Sequence, residues 1–437
     1  MKKSFFSLLM AIVLPMTAWC NDGDTFTAET QEGAVVTYRV LSESAKTCQI
    51  GGVFTPRYTM YVAISDYTGD VTIPTEVNGY TVTLVKHNAF GGSSNTWAGV
   101  PPTPSNLHID HLQLPETIIT IEEGAFSEGD VKHVTLSGNF NTTGAIFGYC
   151  STLESIDLPE GITSLPNKLF AYCQSPVVES FVIPATVTKI GDYCFQGSNM
   201  KSIVVPATVQ QVGNGAFNDC DQMTTAIVES SATMLGNGAF SGCDLLTEFT
   251  FPEGTTYVPE SILNDAKLLE KVVLPPTVLT IGSGAFRDCR SLSDVALPEG
   301  LTDIGASAFR NSGLTSVELP STLTAIRFWA FYDCKLEKVI SRITVPFGIE
   351  SATFSDDTYE TAPLYVPEDT EQLYKDTFAW SQFYGIYPSI ITGLSESRTQ
   401  VQKDVRYTTD GRKATDNQRG LQVVKRADGS VIKTFVK

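Results

Sequence analysis

The sequence has little histidine, little positive charge and no long hydrophobic run beyond its first 20 residues. Its 437 residues include four histidines, and 48 Asp and Glu outnumber 30 Lys and Arg, which gives a formal net charge of −18. A chain this acidic repels nucleic-acid phosphates and anionic lipids at long range. No later apolar run approaches the roughly 20 residues that a membrane-spanning helix requires. We therefore expect no nucleic-acid partner and no membrane span.

Motifs that carry chemistry are also missing. The glycine-containing stretches 213–220 (GNGAFNDC) and 236–243 (GNGAFSGC) lack the Lys-Ser/Thr that completes a phosphate-binding loop. The nine cysteines occur singly, without the CxxC pairs that are typical of zinc sites. His108 and His111 lie three apart in a predicted strand and so point to opposite faces, which makes a shared metal difficult. We expect no catalytic, cofactor or metal site, and the chain is predicted not to be an enzyme.

The N-terminus has the pattern of an export signal. Residues 1–20 read MKKSFFSLLMAIVLPMTAWC, in which two lysines precede a short apolar run. We predict a signal peptide over 1–20, with cleavage after Cys20. The alternative is a lipoprotein signal in which Cys20 is the lipidated first residue, although Trp19 is a poor neighbour for that reaction. The mature chain is predicted at the cell surface or outer membrane, or outside the cell.

The two glycine stretches belong to a repeat. A phenylalanine, or once a leucine, recurs after an initial gap of 36 residues at intervals of 21 to 25 residues. The column consists of Phe90, Phe126, Phe147, Phe170, Phe195, Phe217, Phe240, Leu263, Phe286, Phe309, Phe331 and Phe354. An aliphatic residue precedes it by five positions in nearly every copy, and a proline often precedes it by eleven. Self-similarity at such a period indicates a repeat architecture.

Short β-branched stretches precede the prolines, as in 153–159 (LESIDLP) and 269–275 (LEKVVLP). Alternating hydrophobicity that ends at a proline predicts a strand. A unit of about 23 residues cannot bury its own apolar side chains, but stacked units can. The sequence therefore predicts a mainly β solenoid with short helical turns, in which each coil adds a strand about 4.8 Å from the last.

The cysteines fall in a column three residues after the phenylalanines. Its occupants are all small: Ser93, Gly129, Cys150, Cys173, Ser198, Cys220, Cys243, Ala266, Cys289, Ser312 and Cys334. We interpret it as a steric column in which cysteine acts as a small buried hydrophobe. Reduced thiols are expected, and strained disulfides between adjacent rungs (Cys150 with Cys173, Cys220 with Cys243) remain the alternative.

A second recurrent position is glycine, four residues before the phenylalanine. It is occupied by Gly191, Gly213, Gly236, Gly282 and Gly305. Because glycine adopts positive φ readily, we expect these residues to do so at a repeated turn.

The repeat unit, with its pattern L-x-x-I-x-L-P…I-G-x-x-A-F-x-x-C, resembles the BspA-like leucine-rich repeats of bacterial surface proteins. Residues 292–309 (LSDVALPEGLTDIGASAF) are a clear instance, and the resemblance extends from about residue 70 to 390. Leu263, Glu229 and the copy at 139–150 depart from the pattern. The resemblance implies a curved leucine-rich repeat solenoid exposed at or beyond the cell surface, with roles in adhesion and protein binding.

Four segments follow from these patterns. They are a signal peptide (1–20), an N-terminal β cap (21–80), a solenoid with a C-terminal cap (81–392) and a small C-terminal β module (393–437). In the C-terminal cap, Leu373, Phe378, Trp380 and Phe383 are expected to seal the last coil. The C-terminal module is rich in lysine and arginine, unlike the acidic body. It resembles modules that serve as sorting signals in secretion, and a plain terminal β module is the alternative.

A binding function would lie on variable strand positions of the solenoid. The position two residues before the proline column is apolar in the middle of the array and polar at its ends. Its middle comprises Val182, Val204, Ile227, Thr250 and Val273. If exposed, this stripe would suit a protein or glycan ligand, so we predict an interaction or adhesion module. The alternatives are that β-branched residues simply suit strands, and that the protein is an envelope scaffold without a discrete ligand.

Overall fold

The computed structural model describes residues 21–51, 53–54, 59–60, 63–64, 66–91, 106–389, 405–408, 420–425 and 431–436. Within these ranges the chain is mainly β, with three short α-helices and one 3-10 helix. The predicted signal peptide and Cys20 lie outside the described residues. The repeat units stack as coils of a β-solenoid, which confirms the predicted fold class.

The strands and helices follow one another in short segments. The N-terminal strands are β1 (Thr25–Glu29), β2 (Val35–Ser42), β3 (Thr47–Ile50), β4 (Val53–Phe54), β5 (Thr59–Met60), β6 (Asp66–Thr72), β7 (Glu76–Val77) and β8 (Tyr80–Val85). The next are β9 (Asn106–Gln113), β10 (Thr120–Ile121), β11 (Val131–Thr135), β12 (Asn141–Thr142), β13 (Ser155–Asp157) and β14 (Ser164–Leu165), then helix α1 (Pro176–Glu179). After it come β15 (Lys189–Ile190), β16 (Ser202–Val205), β17 (Gln211–Val212), β18 (Thr225–Val228), β19 (Met234–Leu235), β20 (Glu248–Thr250), β21 (Tyr257–Val258) and β22 (Lys271–Val273).

The C-terminal third continues the same alternation and then changes. Its strands are β23 (Thr280–Ile281), β24 (Asp294–Val295), β25 (Asp303–Ile304), β26 (Ser316–Leu319), β27 (Ala325–Ile326) and β28 (Lys338–Ser341). The cap contains α2 (Asp356–Thr361), β29 (Leu364–Val366), α3 (Glu371–Asp376), a 3-10 helix (Trp380–Gln382) and β30 (Ile386–Pro388). The last strands are β31 (Val405–Thr408), β32 (Gly420–Lys425) and β33 (Val431–Val436), which form an antiparallel sheet.

Each regular coil contributes one strand to each of two parallel ladders. The main sheet is built from the strands that precede the prolines: β6, β9, β11 and β13 in one part, then β16 with β18, then β20, β22 and β24, then β26, β28, β29 and β30. The second ladder uses two-residue strands, such as β15, β17 and β19, that precede the phenylalanine turn. Equivalent residues pair one repeat apart, as in Val204 with Ile227, so every column of the sequence is a line of neighbours in the structure.

The phenylalanine column is the centre of the core. All twelve of its residues are 0% exposed. Neighbouring rings stack almost parallel, with Phe217 lying 5.4 Å from Phe195 and 5.1 Å from Phe240 between ring centroids. Leu263 interrupts the stack, and Phe249 packs against Phe240 there instead, at 5.2 Å. The stack gives each coil an apolar contact with both neighbours, which a single coil lacks.

The recurrent glycines have a different role from the predicted one. None of Gly191, Gly213, Gly236, Gly282 and Gly305 has positive φ. The expectation of a left-handed turn at this position was therefore wrong. A Cβ at Gly213 would lie 2.5 Å from the backbone nitrogen of Asp192 in the preceding coil, and the other four are equally crowded. Glycine is used here because two backbones approach closely.

Left-handed conformations occur instead two residues on either side of the phenylalanine. Glycine occupies some of these positions, as at Gly215 and Gly238, but bulky residues occupy others, including Tyr172 and Trp329. Such residues rarely adopt positive φ, because the Cβ crowds the backbone. The tight turn around the phenylalanine therefore imposes its conformation on whichever residue the sequence supplies.

The cysteine column is small, as predicted, and it is also a line of weak hydrogen bonds. All eight described cysteines, which include Cys48 and Cys194 outside this column, are free and buried. Five of these thiols donate to a backbone carbonyl oxygen in the preceding coil, which belongs to the residue of the phenylalanine column there. The Sγ–O distances are 2.9 to 3.6 Å, and the five are Cys150, Cys220, Cys243, Cys289 and Cys334. Ser198 and Ser312 place hydroxyls in the same column, beside the Sγ atoms of Cys220 and Cys334. The column thus favours small side chains that can donate to a buried carbonyl.

Gly129 marks a place where the same column has no room for a side chain. Its Cβ would lie 2.1 Å from the carbonyl oxygen of Phe90. We expect Gly129→Cys to destabilise the fold by about 1–3 kcal/mol, even though cysteine fills this column elsewhere, because the backbone must shift. The control is Ser198→Cys, which we expect to stay within about 1 kcal/mol of the original. Urea unfolding followed by circular dichroism measures both, and equal midpoints would contradict the steric argument.

Helix α1 interrupts the main sheet. The coil between Phe170 and Phe195 is 25 residues long. Its helix begins at Pro176 and lies just ahead of residues 180–183, where a strand was expected and none forms. Proline suits a first helical turn, since its missing N–H would have no partner there. Val178 is fully buried, and the ring of Phe181 packs between Phe170 and Phe195 at 5.1 and 5.3 Å. The coil therefore stays in the stack although it contributes no strand to the main sheet.

The two ends of the array differ. At the N-terminal end, β1, β2 and β3 form an antiparallel meander, and β3 then pairs parallel to β8. At the C-terminal end, Trp380 and Phe383 are buried against Phe354, as predicted. Leu373 and Phe378 are exposed, contrary to the prediction, because Tyr374 is the residue of α3 that turns inward.

Candidate functional site

The candidate site is the outer face of the main sheet. Side chains alternate along a strand, so that every second residue of each main-sheet strand points away from the core. In β26, for example, Val317 and Leu319 are buried while Ser316 and Glu318 are exposed. The outward residues of successive coils form lines across this face, and the predicted stripe is one of these lines.

The structure exposes the five predicted residues unequally. Val182 is 74% exposed, Val204, Thr250 and Val273 are half-buried, and Ile227 is only 6% exposed. Val204 pairs with Ile227 and Thr250 pairs with Val273 in parallel register. Val182 stands apart from these pairs, because its coil contains α1 instead of a strand. The stripe therefore exists as a line, but its accessible apolar surface is concentrated at Val182. Whether it binds a ligand stays a prediction.

The interruption at α1 creates two shallow cavities on this face. One, of about 330 Å³, lies before the helix and is lined by Ile156, Leu158, Phe181, Val182, Pro184 and Thr186, among others. The other, of about 380 Å³, lies beside the helix and is lined by Pro176, Glu179, Lys201, Thr224 and Leu245, among others. The first is lined by acidic as well as apolar side chains, since Asp157 and Glu160 also belong to it, and the second carries an ion pair between Lys201 and Glu179. Sequence reasoning missed these cavities, although the two extra residues of this coil and its SPVVES stretch were a usable signal.

The N-terminal end of the same face carries a histidine cluster. His108 and His111 both lie on the outer side of β9, so the expectation that they point to opposite faces was wrong. The reason is an irregularity in β9, where the register with β6 shifts between Ile109 and Leu112.

His111 and His133 pair across β9 and β11, and their rings stack with centroids 4.5 Å apart. His108 Nδ1 lies 2.7 Å from Asp130 Oδ2, and its Nε2 lies 3.3 Å from Asp110 Oδ1. The hydrogen bond to Asp130 and the charge of that carboxylate raise the pKa of His108. Sequence reasoning missed the pairing of His111 with His133, which the repeat spacing of 22 residues would have shown.

The chemistry available at this face is recognition by charge and shape. In the described part of the chain, no three His, Cys, Asp or Glu residues come together as a set that could hold a metal ion. The cysteines, which could act as nucleophiles elsewhere, are buried, and burial raises the pKa of Cys220 and Cys289 to about 12. Their thiolate forms are therefore disfavoured. Among the described helices, none combines the length and the apolar character that crossing a bilayer requires.

The stacked coils, the two parallel ladders and the shared columns define a leucine-rich repeat solenoid. The sequence matches the family model described as BspA type leucine rich repeat region, in six copies over residues 105–177, 174–292 and 264–384. The matched residues are well over half of the chain. The chain belongs to the BspA-type leucine-rich repeat family, which confirms the resemblance drawn from the sequence. The matched family is one of repeat proteins, and the comparisons indicate no enzymatic family.

Solved structures of similar proteins include three bacterial examples. A leucine rich cell surface protein from Faecalibacterium prausnitzii is 20% identical, with 81% of this chain and 98% of that chain covered and a TM-score of 0.43. A leucine-rich repeat protein from Bacteroides ovatus is 19% identical, with coverages of 81% and 87% and a TM-score of 0.48. The pneumococcal vaccine antigen PcpA is 16% identical, with coverages of 84% and 99% and a TM-score of 0.40. No curated protein matches the sequence significantly.

Proposed function

We propose that this protein is exported and acts at the cell surface, or outside the cell, as a non-catalytic interaction or adhesion module. The observation that carries the proposal is the exposed apolar residue Val182, which lines a cavity on the outer face and belongs to the same line as the half-buried Val204 and Val273. Interfaces commonly have an apolar centre and a polar rim. Gln113, Asp157 and Glu318 are exposed in the same line and would form that rim. The export signal at 1–20 supports the location.

The ligand would be a protein or a glycan that contacts the main sheet across several coils. Solenoids offer such extended faces, and loops and strand positions vary without disturbing the buried columns. The alternative is an envelope scaffold without a discrete ligand. The bead-retention experiment described next distinguishes the two functions, because a scaffold without a ligand would not retain beads on a cell monolayer.

Replacing Val182 and Val273 by aspartate is expected to weaken adhesion strongly, because a charge would enter the apolar centre of the face. Beads coated with residues 21–437 are applied to a cultured epithelial monolayer, and retained beads are counted after washing. We expect about tenfold less retention for the double variant, the equivalent of about 1.4 kcal/mol.

The matched control is Val345→Asp, since Val345 is 77% exposed but lies outside this face. It should retain beads as well as the original. Equal loss in both variants, or no retention above that of albumin-coated beads, would contradict the adhesion proposal. Protease treatment of intact native cells tests export separately, because a surface protein is digested and an internal one is not.

A further inference from the structure

The C-terminal cap exposes four large side chains to solvent, one of which, Tyr387, also lies beside Tyr365 with ring centroids 6.1 Å apart. Leu373, Phe378, Tyr384 and Tyr387 are 45 to 67% exposed, and all belong to the segment that closes the last coil. We call these four residues the cap face. Terminal coils of solenoids ordinarily turn a polar outer surface to solvent, because the array has no further neighbour to cover it. Large apolar side chains concentrated here are therefore unusual and indicate a contact.

The same cap is strongly acidic. Residues 351–389 contain seven acidic residues and one basic residue, a net charge of −6. The acidic residues are Asp356, Asp357, Glu360, Glu368, Asp369, Glu371 and Asp376. Within the described residues, none of the seven takes part in an ion pair. Elsewhere on the solenoid, carboxylates commonly pair one repeat away, as Asp303 does with Arg327. The cap thus presents apolar side chains among uncompensated negative charges.

The segment that follows has the opposite charge. Residues 390–437 contain ten basic and five acidic residues, a net charge of +5 in a chain whose total is −18. Three strands, β31 to β33, form a sheet within this segment. The cap and the C-terminal module are therefore complementary in charge, and they are neighbours along the chain.

The connection between them is short enough to make a weak contact effective. Fifteen residues separate Ser389 from Val405, so the module is tethered to the cap by a short stretch of chain. Such tethering gives an effective concentration in the millimolar range. A contact with an intrinsic dissociation constant of about 1 mM would already be substantially formed. In addition, Ser389 Oγ, where the linker begins, is buried without a hydrogen-bond partner among the described residues.

We propose that the C-terminal module docks on the cap face of its own chain and closes that end of the solenoid. Strand addition to the outer edge of β30 is a poor mode for this contact, because Pro388 offers no N–H. Docking through side chains, with lysines and arginines beside the cap carboxylates and apolar residues on the cap face, agrees with the composition of both surfaces. The proposal does not depend on the adhesive function of the main sheet.

The test is zero-length carbodiimide cross-linking of the full chain, which joins lysine amines to carboxylates in contact. A mixture of isotopically light and heavy protein separates links within a chain from links between chains. We expect intrachain links from Lys413, Lys425 or Lys433 to Glu368, Asp369 or Asp376. Their yield should fall at least about threefold in 0.5 M salt, since exposed charges are then screened.

Two variants sharpen the result. Lys425→Glu with Arg426→Glu should reduce the remaining links from Lys413 and Lys433 to the cap at least about threefold, by repulsion from the acidic surface. Phe378→Ser should also reduce the yield of links to the cap at least about threefold, without altering charge. The side chain of Phe378 is too exposed for its removal to unfold the cap. The control, Lys168→Glu with Lys189→Glu, makes the same change of charge on exposed solenoid lysines and should leave the links intact. Links only between chains would assign the cap face to a second copy, and absent or evenly scattered links would overturn the proposal.

Discussion

Raising the pH above 9 is expected to destabilise the solenoid steeply. The eight described cysteines are at most 2% exposed, and burial disfavours their charged forms. Burial raises the pKa to about 12 for Cys48, Cys150, Cys220 and Cys289, to about 11 for Cys334, and upward for Cys173, Cys194 and Cys243. The ordinary thiol value is 9.0. The folded state therefore keeps its thiol protons in a pH range where the unfolded state loses them.

Stability falls as the pH rises because, above pH 9, the folded state binds more protons than the unfolded state. Below pH 9 the thiols are protonated in both states, so their contribution to stability is complete and constant. Between pH 9 and about 11–12 the unfolded chain ionises first, which stabilises it relative to the folded chain. By pH 10.5 the loss is about 2 kcal/mol for each of the five thiols whose pKa is about 11 or 12, and for these five together it is comparable with the whole stability of a typical domain.

Urea unfolding in the presence of a phosphine reductant measures this effect. The midpoint should change little between pH 7 and 8.5 and fall steeply from pH 9 to 10.5. A variant with Cys150→Ser and Cys220→Ser retains hydroxyl donors but does not ionise in this range. Its midpoint should fall less steeply, because two of the thiols whose pKa is raised to about 12 are gone. A flat midpoint, or an unchanged slope in the variant, would show that the thiols do not control alkaline stability.

Phe217→Ala is expected to cost about 3–5 kcal/mol, the largest effect of any single substitution considered. The ring is fully buried and stacks on Phe195 and Phe240, so its removal leaves a cavity between two neighbouring coils. The backbone ladders on either side hold the coils at a fixed spacing, which limits collapse into the cavity. The cost therefore includes the lost contacts as well as the lost burial.

Phe217→Leu is the matched control, because Leu263 occupies the same column naturally and is fully buried. We expect it to cost about 1–2 kcal/mol, with most of the volume retained. Chemical denaturation gives both values, and hydrogen exchange locates the change in the coils around Phe195 and Phe240. A difference of less than 1 kcal/mol between the two variants would contradict the role assigned to the stack.

Much of this fold follows from the sequence because a repeat makes each inference many times. The phenylalanine column, the small column of Cys150 and its equivalents, and the strands that end at prolines were all predicted and are all present. Contacts between coils also follow in principle, since a residue meets its equivalent one repeat away. The stack of His111 on His133 is a contact of this kind. It was missed because His111 was compared only with His108 on its own strand and not with the residue one repeat away.

Other features could not be predicted because they depend on how closely two backbones approach. The crowding at Gly213 by Asp192 depends on the distance between coils, which the pattern of residues does not specify. Gly129 and Cys150 are both small residues of the same column, yet only one has space beside it. The exposure of Val182 depends on the absence of a strand in the coil of α1, and the repeat pattern does not indicate that Ile227 is buried while its partner Val204 is only half-buried. The candidate site was thus predicted as a line of residues, but its accessible centre was not.

The interruption at α1 also affects how the molecule bears tension along its axis. Where the coils are regular, a pulling force is shared between the hydrogen bonds of two ladders and the contacts of the phenylalanine stack. At α1 the main sheet is open between β13 and β16, and only the second ladder, from β14 to β15 and β17, continues through. Near the helix, single backbone bonds such as Val177 N to Leu153 O and Lys201 N to Glu179 O replace the missing ladder. A stretched molecule would therefore yield more readily at this coil than where both ladders are continuous. Further along, the main sheet is open again between β18 and β20, and there the second ladder also stops, at β19, and resumes at β21. Tension along the axis would therefore be borne least well at that second junction.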